Sequence, residues 1–337
     1  MVNHFRSQMP RPIIGIGHSM GGQNLVNLGL IHQRLFETLI LIDPVIRRFN
    51  PVAGSYALAQ SSAFRRDRWP SRAAAAEAFK KSKFYRTWDP RVLDRWIEHG
   101  LRDLPTLLYP SPSTPSTPYP ATTTTEPILT LTPPKPQGVT LTTTKHQEVF
   151  TFFRPNFPPL PSEPVSNPSS HMISTIQLGF NRYTHPDITP MANPQSPFYR
   201  PEPIITFYQL PNLRPSVLYI FGSLSDLSTP ELREDKLAMT GVGVGGSGGT
   251  KEGRVKEVVI EDAGHLIPME KVGETAENVT QWVGNEMERW RELEKLREQE
   301  WEGKKGVQKA MLGERYLDLL ASSVPGLAKR RVPAEKL

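Results

Sequence analysis

The residues most suited to chemistry form a short glycine-rich segment, in which positions 17–22 read Gly-His-Ser-Met-Gly-Gly. A serine with glycines two positions away on each side is typical of a tight turn between a strand and a helix. Such a turn leaves little room for side chains and exposes the Ser19 hydroxyl at the end of a sheet. The Met20 amide then lies at the helix N-terminus, where it can donate to a developing oxyanion. The segment predicts Ser19 as a nucleophile.

A serine hydroxyl needs a general base, and His265 is the histidine best placed to be one. It follows an apolar run over 255–260 and ends the small-residue loop Asp-Ala-Gly-His. The other histidines lie in helix or loop contexts without this strand-end position. His18 adjoins the serine, but its side chain is expected to point away from the site and pack.

The base in turn needs a carboxylate that fixes its tautomer and stabilises the imidazolium. Asp226 follows the apolar run over 217–221, and Asp43 follows the one over 39–42. Both positions lie at the carboxyl ends of predicted strands, where sites form in parallel sheets. The residues alone leave these two candidates open.

The elements that must position these residues alternate between strands and helices. An apolar segment over 12–16 precedes the serine turn, and a helical pattern over 22–37 follows it. Further apolar runs come at 38–42, 217–222 and 255–260. This order predicts an α/β fold with a parallel sheet and right-handed crossovers.

The domain organisation follows from changes in composition along the chain. Residues 1–52 and 204–302 are predicted to form the two halves of the core, with a helical cap over 53–203 between them. Within the cap, residues 110–137 are dominated by Pro, Thr and Ser, which predicts a disordered insertion. Residues 303–337 are predicted to be a flexible tail.

Composition excludes several classes of function. The 337 residues contain 34 Pro, 24 Gly and no Cys, so disulfides, thiolate metal sites and a cysteine nucleophile are excluded. The net charge of +6 comes from scattered clusters, and no nucleic-acid-binding module accompanies it. No apolar run approaches the ~20 residues that a membrane span needs. Neither a metal nor an organic cofactor is implied.

The order of these motifs resembles the α/β-hydrolase fold superfamily, over about residues 1–108, 138–154 and 204–290. The segment Lys-Phe-Tyr-Arg-Thr-Trp-Asp-Pro at 83–90 resembles the cap of a fungal subgroup. That subgroup includes peroxisomal serine hydrolases and proteins of host-selective toxin biosynthesis. The resemblance implies a lipase- or esterase-like serine hydrolase that cleaves an ester or thioester of an apolar acyl group.

The site that the resemblance implies contains Ser19, His265 and one of the two acids. In the family the acid usually stands at the place of Ser225 here, three residues after Gly222, so that Asp226 comes one later. Some members take the acid from the strand after the nucleophile helix, which matches the other candidate. A serine nucleophile argues against epoxide hydrolysis and dehalogenation, which use a carboxylate.

The two ends of the chain carry further expectations. Family members have strands before the nucleophile and a His-Gly-type loop that completes the oxyanion hole, and neither is recognised here. The first strands of the sheet are therefore expected to be missing, and a non-catalytic, truncated remnant is the alternative to an enzyme. At the other end, residues 334–337 read Ala-Glu-Lys-Leu, an imperfect form of the tripeptide that a peroxisomal import receptor recognises. This tail predicts a peroxisomal protein, with the cytoplasm as the alternative.

Overall fold

The computed structural model describes residues 2–5, 8–49, 52–110, 138–155 and 198–323. The strands are, in chain order, β1 (Ile14–His18), β2 (Thr38–Ile42), β3 (Arg68–Trp69), β4 (Leu101–Asp103), β5 (Val139–Leu141), β6 (Arg154–Pro155), β7 (Phe198–Tyr199), β8 (Ser216–Gly222) and β9 (Val255–Ile260). The predicted insertion after Pro110 and the C-terminal residues 334–337 lie outside the described residues.

The helices that accompany these strands are α1 (Val2–Phe5), α2 (Met20–Ile31), α3 (Val52–Phe64), α4 (Arg72–Lys81), α5 (Pro90–His99), α6 (Lys145–Phe152), α7 (Glu202–Gln209), α8 (Pro230–Met239), α9 (Ile267–Glu270), α10 (Val272–Glu302), α11 (Gly306–Lys309) and α12 (Glu314–Ser322). The chain divides into two units, Met1–Thr280 and Gln281–Leu337.

A four-stranded parallel sheet with the order β1-β2-β8-β9 forms the centre of the first unit. Every residue of β2 and β8 is buried, which explains why both strands are almost continuously apolar. The side chains of Val26, Phe36, Leu39, Tyr219 and Phe221 belong to one buried core cluster with residues of α7 and β9. The predicted α/β fold with a parallel sheet is confirmed.

The connections place the four loops that follow these strands on the same side of the sheet. Helix α2 connects β1 to β2, and α8 lies between β8 and β9, so all four strands run in the same direction. Their carboxyl ends, at His18, Ile42, Gly222 and Ile260, therefore lie on the same side. Ligand sites of parallel sheets form at this side.

The segment between β2 and β8 contains short strands in addition to the helices of the predicted cap. Beside α3 to α6 it contains an antiparallel sheet with the order β3-β5-β4, in which Trp69 pairs with Val139 and Leu101 pairs with Leu141. Trp69, Leu101, Val139 and Leu141 are buried in one cluster with Phe79 of α4. Strands of two or three residues are too short to show an alternating pattern, so no pattern in the sequence predicts them.

The second unit begins within α10 and continues with α11 and α12. Parts of the predicted flexible tail over 303–337 form the helices α11 and α12, in which no residue is buried, and the flexibility of the tail stays a prediction. Glu314 lies in the first turn of α12, where a negative charge stabilises the helix. In the part of the chain that is described, no helix is both long enough and apolar enough to cross a bilayer.

Candidate active site

Ser19 occupies the turn between β1 and α2 in a strained backbone conformation. Its φ of 56° lies in the left-handed region, which a residue with a side chain rarely adopts. The Ser19 amide donates to the carbonyl of Ile42 over 2.9 Å, and the Val45 amide donates to the Ser19 carbonyl over 3.2 Å. These two hydrogen bonds tie the turn to the end of β2 and hold the serine at the sheet edge.

The glycines of the turn have unequal roles. A Cβ on Gly17 would lie 2.7 Å from the Gly22 nitrogen, and one on Gly22 would lie 3.0 Å from the Cβ of Pro44. A Cβ on Gly21 meets no described atom within 4 Å. Close packing therefore requires Gly17 and Gly22, whereas the expected steric need for Gly21 is not found.

His265 lies in the loop after β9 and reaches both of its expected partners. Its Nε2 is 2.9 Å from Ser19 Oγ, and its Nδ1 is 2.6 Å from Asp43 Oδ2. Since an ionised carboxylate only accepts, Nδ1 carries the proton and Nε2 is left to accept the serine O–H. The loop itself is held by the Gly264 amide, which donates to Glu270 Oε2 over 2.7 Å.

Of the two candidate acids, the structure brings Asp43 to the histidine. Asp43 directly follows β2, its amide donates to the Ile220 carbonyl over 2.8 Å, and its side chain is fully buried. Asp226 is exposed, and the hydrogen bond of His265 Nδ1 goes to Asp43 instead. The turn after β8 directs Ser225 inward and Asp226 outward, so Asp226 does not join the cluster.

His18 does not point away from the site, contrary to expectation. Its Nε2 donates to the backbone carbonyl of His265 over 2.8 Å, and the two imidazole rings lie 4.8 Å apart. Burial lowers the pKa of His18, because the cation loses its hydration there. His18 therefore links the serine turn to the histidine loop, a role that only its neighbouring position in the sequence could have suggested.

Met20 is the first residue of α2, so its amide lies at the helix N-terminus next to Ser19. Amides of a first helical turn lack an acceptor within the helix and are free to donate to an anion. Within the described ranges, no cluster of three or more His, Asp or Glu side chains is arranged to hold a metal ion.

Comparisons with known proteins agree on one family. Residues 1–278 match the family model described as "Alpha/beta hydrolase family". The chain is 38% identical over 339 residues to the "Type I acyl-CoA thioesterase mpaH" of Penicillium roqueforti (strain FM164), across 98% of this chain and 71% of that protein. It is 27% identical over 317 residues to the "Abhydrolase domain-containing protein AFT2-1" of Alternaria alternata, across 94% of this chain and 100% of that protein.

Among solved structures, the chain is similar to the peroxisomal alpha-beta-hydrolase Lpx1 from Saccharomyces cerevisiae, with a TM-score of 0.49 and 13% identity. That match covers 84% of this chain and 55% of the other. The chain spans 66% of the length of the two related thioesterases of Penicillium brevicompactum.

Proposed function

The chain belongs to the alpha/beta hydrolase family, and from that membership we propose that it hydrolyses an ester or thioester with Ser19 as the nucleophile. The observation that carries the proposal is the continuous path of hydrogen bonds from Ser19 Oγ through His265 to Asp43, with lengths of 2.9 and 2.6 Å. Each of the three residues follows a different strand of one sheet. This arrangement has the roles and the geometry of a serine-histidine-aspartate triad.

The reaction begins when Ser19 Oγ attacks the carbonyl carbon and His265 Nε2 takes the hydroxyl proton. Asp43 stabilises the imidazolium that results, and the Met20 amide donates to the oxyanion of the tetrahedral intermediate. The intermediate collapses to an acyl-serine as the leaving group departs and takes up the proton that His265 holds, which releases an alcohol or a thiol and leaves His265 neutral. His265 then takes a proton from water as the water oxygen attacks the acyl carbon, and it returns that proton to Ser19 Oγ as the carboxylic acid leaves.

The proposed substrate is an acyl thioester, with an apolar acyl group. A thiol has a pKa near 8.5 and leaves as a thiolate with little help from an acid, so the triad alone suffices for this step. The name of the Penicillium roqueforti relative, an acyl-CoA thioesterase at 38% identity, supports this class of substrate. The Asp89 amide, which donates to the Met269 carbonyl over 2.7 Å, holds the segment before α5 against the segment after His265. This contact supports a site covered by the cap.

The test uses the 337-residue protein with a fluorophosphonate probe, which reacts with activated serines. We expect the probe to label the wild type, and we expect no labelling of Ser19→Ala. Butyryl-, octanoyl- and palmitoyl-CoA are then compared with the p-nitrophenyl esters of the same acids, and thiol release is followed with a thiol reagent. The thioesters should be cleaved, and Ser19→Ala and His265→Ala should lose about 10³-fold or more of the rate. Labelling that persists in Ser19→Ala, or a folded wild type that neither reacts with the probe nor cleaves a substrate, contradicts the proposal; the second outcome favours a non-catalytic protein.

We also propose that the chain enters peroxisomes through its last residues. Lys336 and Leu337 match the receptor-recognised tripeptide, whereas Glu335 replaces its usual small residue. A fluorescent protein fused to residues 326–337 should form puncta that coincide with a peroxisomal marker, and removal of Leu337 should disperse them. Diffuse fluorescence from the intact tail contradicts this localisation.

A further inference from the structure

A continuous polar chain crosses the described sheet and contains one residue from the loop after each strand. Ser19 follows β1, Asp43 follows β2, Ser225 follows β8 and His265 follows β9. The proposed reaction uses three of these four residues. Ser225 is buried, with 6% of its surface exposed, and the reaction assigns it no task.

The contacts of Ser225 fix the direction of its single hydroxyl proton. Its Oγ lies 2.5 Å from Asp43 Oδ2 and accepts the Leu227 amide over 3.2 Å. Because an ionised carboxylate has no proton to give, the Ser225 O–H must be the donor to Asp43. The same Oδ2 atom accepts His265 Nδ1 over 2.6 Å, so two donors converge on one oxygen.

We propose that Ser225 is a positioning residue of this hydrolase, whose hydroxyl holds Asp43 Oδ2 in line with His265 Nδ1. The inference rests on the proposed function and adds a residue to its site. Asp43 Oδ1 is buried and accepts no hydrogen bond from the described residues, so the Ser225 hydroxyl is the neutral anchor that sets the rotation of the carboxylate. A charge-assisted hydrogen bond of this kind is stronger than one between neutral groups.

The hydroxyl also acts on the charge of Asp43. By donating to Oδ2, the Ser225 hydroxyl offsets part of the negative charge of Asp43. This charge is what stabilises the protonated form of His265. Without the hydroxyl, His265 keeps its extra proton to a higher pH, and the pH at which the base becomes active rises. Among the described residues, His18, beside Ser19, and Lys236, on α8, also interact with the charge of Asp43. Neither contacts Ser225 Oγ, so a change at Ser225 leaves both in place.

The test compares Ser225→Ala with Ser228→Ala in the full chain. Ser228 is a matched control because it is buried in the same turn, and its hydroxyl donates to the Gly222 carbonyl over 3.0 Å rather than to Asp43. The measurement is the second-order rate constant for fluorophosphonate labelling of Ser19 across the pH range in which histidine titrates. We expect Ser225→Ala to react about ten- to a hundredfold more slowly, with the acidic limb of its profile moved to higher pH. Ser228→Ala should keep the wild-type limb.

A second readout keeps the inference separate from the proposed function. The pH midpoint of the His265 ring signals in NMR should rise in Ser225→Ala and stay unchanged in Ser228→Ala, whether or not the protein turns over a substrate. If Ser225→Ala does not fold, Ser225→Cys keeps nearly the same size with a weaker donor, and its limb should move in the same direction. Equal labelling rates and equal midpoints for the Ser225 and Ser228 variants overturn the inference. A wild type that fails to react with the probe overturns the proposed function alone.

Discussion

Asp43 joins two demanding features in one residue, a backbone φ of 40° and a completely buried side chain. Ser19, which directly follows the neighbouring strand β1, also has a positive φ. A buried carboxylate is unfavourable unless donors surround it, and Ser225 and His265 supply them here. Backbone strain at two adjacent strand ends thus places a hydroxyl and a carboxylate on the two sides of one imidazole.

Replacement of the two acids by asparagine separates their roles. Asp43→Asn puts an amide beside His265 Nδ1 and favours the wrong tautomer, so the labelling rate of Ser19 should fall by about 10³- to 10⁴-fold. Asp226 is exposed, and Asp226→Asn should change the rate by less than about threefold. The measurement that checks this is the labelling rate of Ser19 in the two folded variants at one pH. Greater damage from Asp226→Asn contradicts the arrangement described here.

The sequence predicted Ser19 and His265 as partners because each stands in a recognisable strand-end motif. It could not choose between Asp43 and Asp226, since both follow apolar strands and both types of position can hold an acid. The turn after Gly222 decides whether Ser225 or Asp226 points inward. Because both residues are polar, their hydropathy does not predict which of them is buried. The direction of the His18 side chain depends in the same way on the dihedral angles of the turn.

At the scale of elements, the turn between β1 and α2 depends on a close backbone approach. In Gly17→Ala the new Cβ would lie 2.7 to 2.8 Å from backbone atoms of Gly21 and Gly22, so the turn must open. We expect this variant to lose labelling of Ser19 and to unfold at a lower temperature.

Gly21→Ala is the matched control for this change, because its Cβ has open space and alanine favours a helix more than glycine does. Thermal unfolding and probe labelling of the two variants give the comparison. A Gly17→Ala variant as stable and as reactive as Gly21→Ala contradicts the close approach.

Helix α8 carries a buried lysine, Lys236, whose lowered pKa predicts how the free energy of unfolding changes at alkaline pH. Lys236 Nζ donates to the Leu232 carbonyl over 3.0 Å, and burial lowers the pKa of this lysine to about 8. The unfolded chain keeps the proton up to a pKa near 10.4, so it binds more protons than the folded protein between these values. The free energy of unfolding should therefore rise with pH across that window, by on the order of 3 kcal/mol from this lysine.

Urea unfolding of the wild type and of Lys236→Met at pH values on both sides of that window measures the effect. The variant should lack this part of the rise. Burial also raises the pKa of Tyr219, but both proteins share that tyrosine, so the difference between them isolates the lysine. Identical pH dependences contradict the lowered pKa.

The central strands could be predicted from the sequence because burial on both faces makes β2 and β8 apolar throughout. The cap strands could not, because the pairing of Trp69 with Val139 depends on residues that are far apart in the chain. Short strands that pair across a long connection carry no local pattern, and their partners are fixed by packing alone.

At the scale of the whole molecule, the connection from β4 to β5 begins and ends in one antiparallel pair. Leu101 pairs with Leu141, and the Leu104 amide donates to the Gly138 carbonyl over 2.9 Å. Replacement of residues 111–137 by a short Gly-Ser linker should therefore move the melting temperature by no more than a few degrees, since loop closure depends only weakly on length. Thermal unfolding of the shortened protein, with labelling of Ser19 as a control for the site, tests this. A large drop in melting temperature would mean that the segment packs against the rest.

The polar chain that contains Ser19, His265, Asp43 and Ser225 spans the full width of the described sheet, because Ser19 and His265 follow β1 and β9, its two edge strands. A local opening that detaches either edge strand separates the serine from its histidine, even while β2 and β8 stay paired. Reactivity at Ser19 therefore requires all four strands to be in place, and its loss is an early sign of partial unfolding. In mild denaturant it should disappear before the amides of β2 and β8 begin to exchange with deuterium.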